Sequence, residues 1–435
     1  MRRAAWLGSM LAAVLVVGAC EDRKTPLPGE RIPVLLHESQ IIPEADLAQI
    51  PVALPRPVLN SAWPEAGGSP SHVMEHVALP DTLKKVWSAD IGSGASADKA
   101  LIPAPVVADG KVFAMDTDYD VTAYDAETGK RLWSKDVTSA DEDDSAIGGG
   151  IAFGDGRLYV TTGFAQVIAL KADSGDEAWR QSLVGPSRAP PAFAGGRVYA
   201  VTIDNQIFAL DGATGRKLWS HAGVAEVAGL LGGAAPAFDA GVVIVPYSSG
   251  EIYALQASNG RVTWSDNLGP ARRGDIASQI TDIRGLPIID GNRVYAISHG
   301  GRMVAIDLKS GQRVWDKTLG GVQTPWVAGD YIYVLTIDAE LVCLNRADGR
   351  IRWVSSLRRY RDTQSKSDPI FWNGPVLAGD RLIVTNTRSE ALSISPYTGE
   401  LVGKISLPGP ASLAPVVANQ TLYFLTDNAE LVAMR

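Results

Sequence analysis

Only two cysteines, Cys20 and Cys343, occur among the 435 residues, so no disulfide framework organises this chain. Basic residues are outnumbered, 40 Lys and Arg against 48 Asp and Glu. A net charge of -8 leaves no clustered cationic face of the kind a duplex demands, which argues against nucleic acid as a partner. The five histidines (His37, His72, His76, His221 and His299) fall at no metal-ligand spacing. No Gly-x-Ser-x-Gly nucleophile turn is present. The densest carboxylate run, Asp141-Glu142-Asp143-Asp144, lies in one stretch without ligand-like spacing and reads as a solvated loop. No apolar run reaches the roughly 20 residues needed to cross a hydrocarbon core.

What is plentiful is glycine (44) and proline (26), with 46% hydrophobic residues to fill a core. That balance indicates an all-β chain full of turns. At the N-terminus, Arg2 and Arg3 precede an apolar stretch from Ala4 to Val17, the layout of a secretory leader. Gly18 and Ala19 are small enough for a signal-peptidase cleft, and an ordinary cleaved leader is one reading. Val17-Gly18-Ala19-Cys20 resembles the lipobox of bacterial lipoproteins, in which the cysteine is acylated and becomes the first residue of the mature chain. Residues 1–19 are then a lipoprotein signal peptide, and Cys20 is the lipid attachment site. Glu21 follows it where the lipobox rule for inner-membrane retention asks for Asp. Residues 20–80 are aperiodic and rich in proline, which lacks an amide donor and fixes φ. Most of them are expected to form an extended tether, with a soft boundary at which Trp63 and the GGSP that follows already dock on the folded domain.

From residue 81 the chain repeats one unit eight times. Turns such as DAETGKRLW and DGATGRKLW each lead into a tryptophan: Trp133, Trp179, Trp219, Trp264, Trp315 and Trp353. Trp87 shares their phase without a preceding turn, and SPYTGELVG keeps the turn but carries Gly403 in place of the ring. The eight positions lie 38 to 51 residues apart, a period that signals a propeller or a solenoid. Between them recur hairpins of alternating apolar residues, such as RVYAVTIDNQIFALD, most of them preceded by a Pro-containing strand closed by glycine. Four strands per unit make a propeller blade. The predicted fold is an all-β, eight-bladed propeller of four-stranded antiparallel blades over residues 81–435, with the first strand completing the last blade. The tryptophans at one repeated phase are structural, each large enough to bury about 150–250 Å² against a neighbouring blade.

The eight units resemble the PQQ-type propeller repeat, with its Ala-x-Asp-x-x-Thr-Gly-x-x-x-Trp pattern. Lipobox, tether and propeller together resemble the BamB family of outer-membrane β-barrel assembly lipoproteins, most specifically over residues 279–321. The resemblance implies a non-enzymatic scaffold without a cofactor, lipid-anchored at the periplasmic face of the outer membrane. It also implies partners: the POTRA domains of BamA, other barrel-assembly subunits and unfolded outer-membrane protein precursors. Two family loops face BamA. One has the pattern Leu-x-Leu-Arg-Gly; here Ala228-Gly229-Leu230-Leu231-Gly232 keeps the second leucine as Leu230 and loses the arginine at Leu231. The other has Asp-x-Asp; here Asp282-Ile283-Arg284 keeps only Asp282. Leu230, Leu231, Asp282 and Arg284 are the candidate partner contacts, unless the leucines pack inside the propeller. Two other readings stay open: a PQQ- and calcium-dependent quinoprotein dehydrogenase, or a propeller lipoprotein serving another periplasmic partner. The first lacks the adjacent cysteines common beside the quinone in that class.

Cys20→Ser is expected to leave the melting transition of the propeller unchanged and to abolish incorporation of labelled palmitate. Label retained on the serine variant rules out Cys20 as the attachment point.

Overall fold

The computed structural model describes residues 41–47, 50–138, 146–226, 229–269 and 280–435. Eight four-stranded antiparallel sheets form the blades of a propeller. The first comprises Val106–Ala108, Lys111–Met115, Asp120–Asp125 and Arg131–Asp136. In each blade the two middle strands are buried almost throughout, as in Lys111–Met115 and Asp120–Asp125, while the fourth is largely exposed. The short first strands of successive blades lie beside one another around the axis. They are therefore the inner strands and the fourth strands the rim. The last blade takes Val416–Ala418, Thr421–Leu425 and Glu430–Met434 from the C-terminal region and Lys85–Asp90 from the beginning of the repeats. Lys85–Asp90 pairs antiparallel with Glu430–Met434, so the ring closes as expected and no middle strand is left as a bare edge.

The repeated turn and the repeated tryptophan meet across blade boundaries. Trp87 lies under the turn of the first blade, its Nε1 donating to the Ala126 carbonyl at 3.1 Å. The same bond recurs from Trp133 to Ala172, Trp179 to Gly212, Trp219 to Ala257, Trp264 to Leu308, Trp315 to Arg346 and Trp353 to Pro396. Each ring occupies the space above a turn glycine. At Gly129, where φ is +69°, a Cβ would stand 2.6 Å from the Trp87 ring. Both the backbone angle and the close approach therefore require glycine. This geometry explains the missing eighth tryptophan. Gly403 faces the last blade, whose third and fourth strands come from opposite ends of the repeats and share no turn. A ring there would have no turn to cover.

Residues 41–80 differ from the expected tether, because they dock on the propeller. Between Asn60 and Val77 the chain makes one circuit of the axis and touches the eight blades in order. Asn60 accepts from the Asn419 amide of the last blade at 2.7 Å. Trp63 exchanges two backbone bonds with Val107 of the first. Pro64 accepts from Phe153 of the second, and the Glu65 carboxylate from the amide of Phe193 of the third at 3.0 Å. Pro70 and Ser71 accept from Phe238 and Ile289 of the fourth and fifth. The Glu75 carbonyl takes the indole N–H of Trp326 in the sixth, and Val77 bonds Leu377 and Gly379 in the seventh. Proline suits such a path, since its carbonyl still accepts while its missing amide would be unsatisfied in any ladder. The cap rests on buried Val52, Trp63, Val77 and Leu79. Residues 1–40, with Cys20, the leader and His37, and the run 141–144 lie outside the described residues.

Glu65 is 2% exposed, and burial pushes its carboxyl up to about 8, opposed by the Phe193 amide. The docked cap thus keeps a proton that the released segment, at its ordinary value of 4.5, gives up. Docking is fully supported below the lower value and weakens by about 1.4 kcal/mol per pH unit as pH rises through the window. Hydrogen exchange at the Phe193 amide is expected to accelerate from pH 5 to 8 beyond the intrinsic rate, and Glu65→Gln is expected to flatten that excess.

Candidate partner-binding face and axial cavity

Strand direction sorts the connections onto two faces. Turns between first and second strands, and between third and fourth, share one face; blade-to-blade connections and second-to-third turns share the other. The cap pairs with inner strands next to the first set. For example, Val107 lies two residues before the turn at Asp109 and Gly110. The blade-to-blade face is left open.

On that open face the connection between the third and fourth blades meets the one between the fourth and fifth. Asp282 is buried, and its Oδ2 accepts the Leu230 amide at 2.8 Å. Its own carbonyl accepts the amide of His299. Burial pushes the Asp282 carboxyl up, while the Leu230 amide and then the Arg284 charge pull it back. Desolvation likewise pushes the Arg284 guanidinium down, with Asp282 opposing. Gly232, at φ +97°, passes so close over Arg284 that a Cβ would lie 3.0 Å from its Nε. The guanidinium thus sits beside the position where the family loop carries its arginine.

The structure therefore brings Leu230, Leu231, Asp282 and Arg284 together, in unequal roles. Leu231 is 43% exposed and Leu230 is half-buried. Asp282 and Arg284 anchor the loops from below. The sequence reading missed the apolar residues on the same face: Val184, Ile203, Val224 and Ile280 are all exposed. They stand among other aliphatic residues of the same connections, as Val184 beside Leu183 and Ile280 three residues before the buried Ile283, and a period-two pattern does not separate exposed loop residues from buried ones. Beneath Leu230 a cavity of about 140 Å³ is lined by Arg188, Asn205, Glu226, Ser248 and Asp282.

A second cavity of about 180 Å³ lies on the axis, floored by Trp63, Ala66, Gly67 and His72 of the cap and walled by inner-strand starts. Its lining contains Arg188 and Arg284 but no carboxylate among the described residues. That donor set suits an anion and does not fit a calcium-quinone centre, which needs several oxygen ligands with a carboxylate among them. Among the described residues no group of three or more His, Cys, Asp or Glu side chains is placed to hold a metal ion. Cys343 is buried opposite Trp353, and burial pushes its thiol far up, so it behaves as a small apolar side chain.

Fold and open face define a closed PQQ-type propeller with a loop-built surface. A family model described as outer membrane protein assembly factor BamB matches residues 75–145 and 137–355. These segments together make up more than half of the chain, and the chain belongs to this family. The BamB of Legionella pneumophila (strain Paris) is 27% identical over 153 residues, 35% of this chain and 38% of that protein. The match thus spans well under half of the curated relative. Among solved structures, BamB from Moraxella catarrhalis superposes with a TM-score of 0.67 at 22% identity, over 81% of this chain and all of that one. A quinohemoprotein alcohol dehydrogenase from Comamonas testosteroni gives 0.65 at 15% identity, over 86% of this chain and 80% of that one. At such identities both likenesses speak for the fold alone.

Asp282→Ala removes the acceptor of the Leu230 amide and the counter-charge of Arg284. A cost of about 1–3 kcal/mol in stability is expected, with amide exchange at Leu230 rising more than at strand amides of the same blades. Unchanged exchange at Leu230 shows that the carboxylate does not hold the loop.

Proposed function

We propose that this protein is a non-catalytic scaffold at the periplasmic face of the outer membrane, lipid-anchored through Cys20, where it binds a POTRA domain of BamA and aids the assembly of β-barrel precursors. The observation that carries the reading is the pair of interlocked loops on the open face. They present Leu231 and neighbouring aliphatic side chains above the buried Asp282 and the half-buried Arg284. An apolar centre held in place by a buried carboxylate bonded to the Leu230 amide, with a polar rim, is the make-up of an interface hot spot. Membership of a family whose curated relatives are named outer membrane protein assembly factors supports the choice of partner. No reaction is required of such a scaffold. Among the described residues the axial lining holds no carboxylate for the calcium ion of a quinone centre, which favours the scaffold over a quinone-dependent dehydrogenase.

Leu231→Asp places a charge at the centre of the surface without touching the loop anchors. It is expected to weaken binding to purified BamA POTRA domains by tenfold or more, with no change in melting temperature. Binding at full strength by this variant removes the open face from the proposal. Pull-down of the acylated protein from detergent-solubilised outer membranes tests the setting, since barrel-assembly subunits must co-purify. Dye-linked alcohol oxidation after addition of PQQ and Ca²⁺ would overturn the scaffold reading.

A further inference from the structure

The cap makes the axial channel a blind pocket, and the polar groups inside it are unequally satisfied. Arg188 enters from the connection between the second and third blades, Arg284 from that between the fourth and fifth. Among the described residues neither guanidinium has a hydrogen bond or an ion pair, and Asp282 acts on Arg284 only through space. Two half-buried guanidiniums lining one cavity, with donors that no described protein group occupies, offer a place where an anion can be held by charge-assisted bonds.

The third group is His72 on the floor, 5% exposed. Its Nδ1 lies 2.6 Å from the Pro287 carbonyl. A carbonyl only accepts, so Nδ1 carries the proton of that bond. Burial pushes the ring down to about 4, so at neutral pH it is uncharged and Nε2 is a bare acceptor. That nitrogen is buried and has no partner. Buried polar atoms are normally satisfied, so an orphaned acceptor in the lining of the same cavity as two guanidiniums asks for a ligand that both accepts and donates. The remaining wall is mixed: Trp63 stacked on Trp326 at 6.2 Å, with Ile151, Leu286 and Val376, alternates with Gln323, Thr324, Asn373 and Ser412, whose side chains already have protein partners. At about 180 Å³ the space is below the roughly 300–1,000 Å³ of sites for drug-sized ligands.

We propose that the axial pocket binds a small organic hydroxycarboxylate, its carboxylate held by Arg188 and Arg284 and its hydroxyl donating to Nε2 of His72. The cap supplies the acceptor and the blade connections supply the charge, so only the docked form of residues 60–77 builds the complete site. The site is separate from the leucine surface, although Arg284 is shared between its wall and the loop anchors.

Calorimetric titration of the full chain with L-lactate, propionate and inorganic phosphate tests this. Lactate is expected to bind, propionate to bind at least fivefold more weakly for want of the hydroxyl, and phosphate to bind more weakly than lactate. Arg188→Gln, which leaves the loop anchors intact, is expected to weaken lactate more than tenfold while the melting temperature stays unchanged. Arg284→Gln is expected to do the same to lactate, with its melting temperature measured alongside. Equal binding of lactate and propionate overturns the role of His72. Phosphate binding as tight as lactate overturns the carboxylate assignment. No binding of any probe at millimolar concentration overturns the site.

Discussion

Every blade of this propeller turns the unpaired edge of its inner strand towards the axis. Eight such edges must find partners or water, and the ring cannot provide them, because each inner strand already pairs with its second strand. The chain resolves this with its own residues 60–77. The circuit gives carbonyl, carboxylate and amide partners to successive blades, with Glu65 protonated where it meets the third. The floor of the axial cavity, the burial of His72 and the contrast between a closed and an open face all follow from that circuit.

Much of the fold is legible in the sequence because it repeats. The turn and the tryptophan are coupled through space, so each repeat announces the next: Trp133 covers the turn at Gly175, and Trp179 the turn at Gly215. Even the exception is informative, since Gly403 stands where no turn follows. The cap was legible only around Trp63, whose docking the sequence suggested. Its residues meet eight different strands through one or two bonds each, so no period of two or 3.6 arises. Proline density reads the same whether a segment is free or pinned by its carbonyls. The candidate site was legible in part. Resemblance brought Leu230, Leu231, Asp282 and Arg284 to attention, but the bond from the Leu230 amide to the Asp282 carboxylate joins groups 52 residues apart. The closeness of Gly232 to Arg284 depends on loop paths that one sequence does not encode visibly.

The two faces suit different tasks. The capped face is rigid, since its turns are covered by rings and its axis is filled by chain. The open face carries the longer connections, exposed aliphatic side chains and two cavities that share Arg188. Interfaces and ligand sites fall on connections held by a rigid scaffold because loops vary without cost to the core. Here even the connections are restrained, by a buried carboxylate on one amide and a glycine closed over a guanidinium. A partner meeting Leu231 therefore meets a preformed surface, which lowers the ordering cost of binding.

Hydrogen exchange at the inner-edge amides tests the central claim most directly. The amides of Val107, Phe153, Phe193, Phe238, Ile289, Gly379 and Asn419 are bonded to the cap and to nothing else in the propeller ring. In the full chain at pH 6 they should exchange as slowly as middle-strand amides, and in a chain lacking residues 41–79 they should exchange at least a hundredfold faster. Exchange at the rates of open edges in the full chain would contradict an axis closed by the protein's own N-terminal segment.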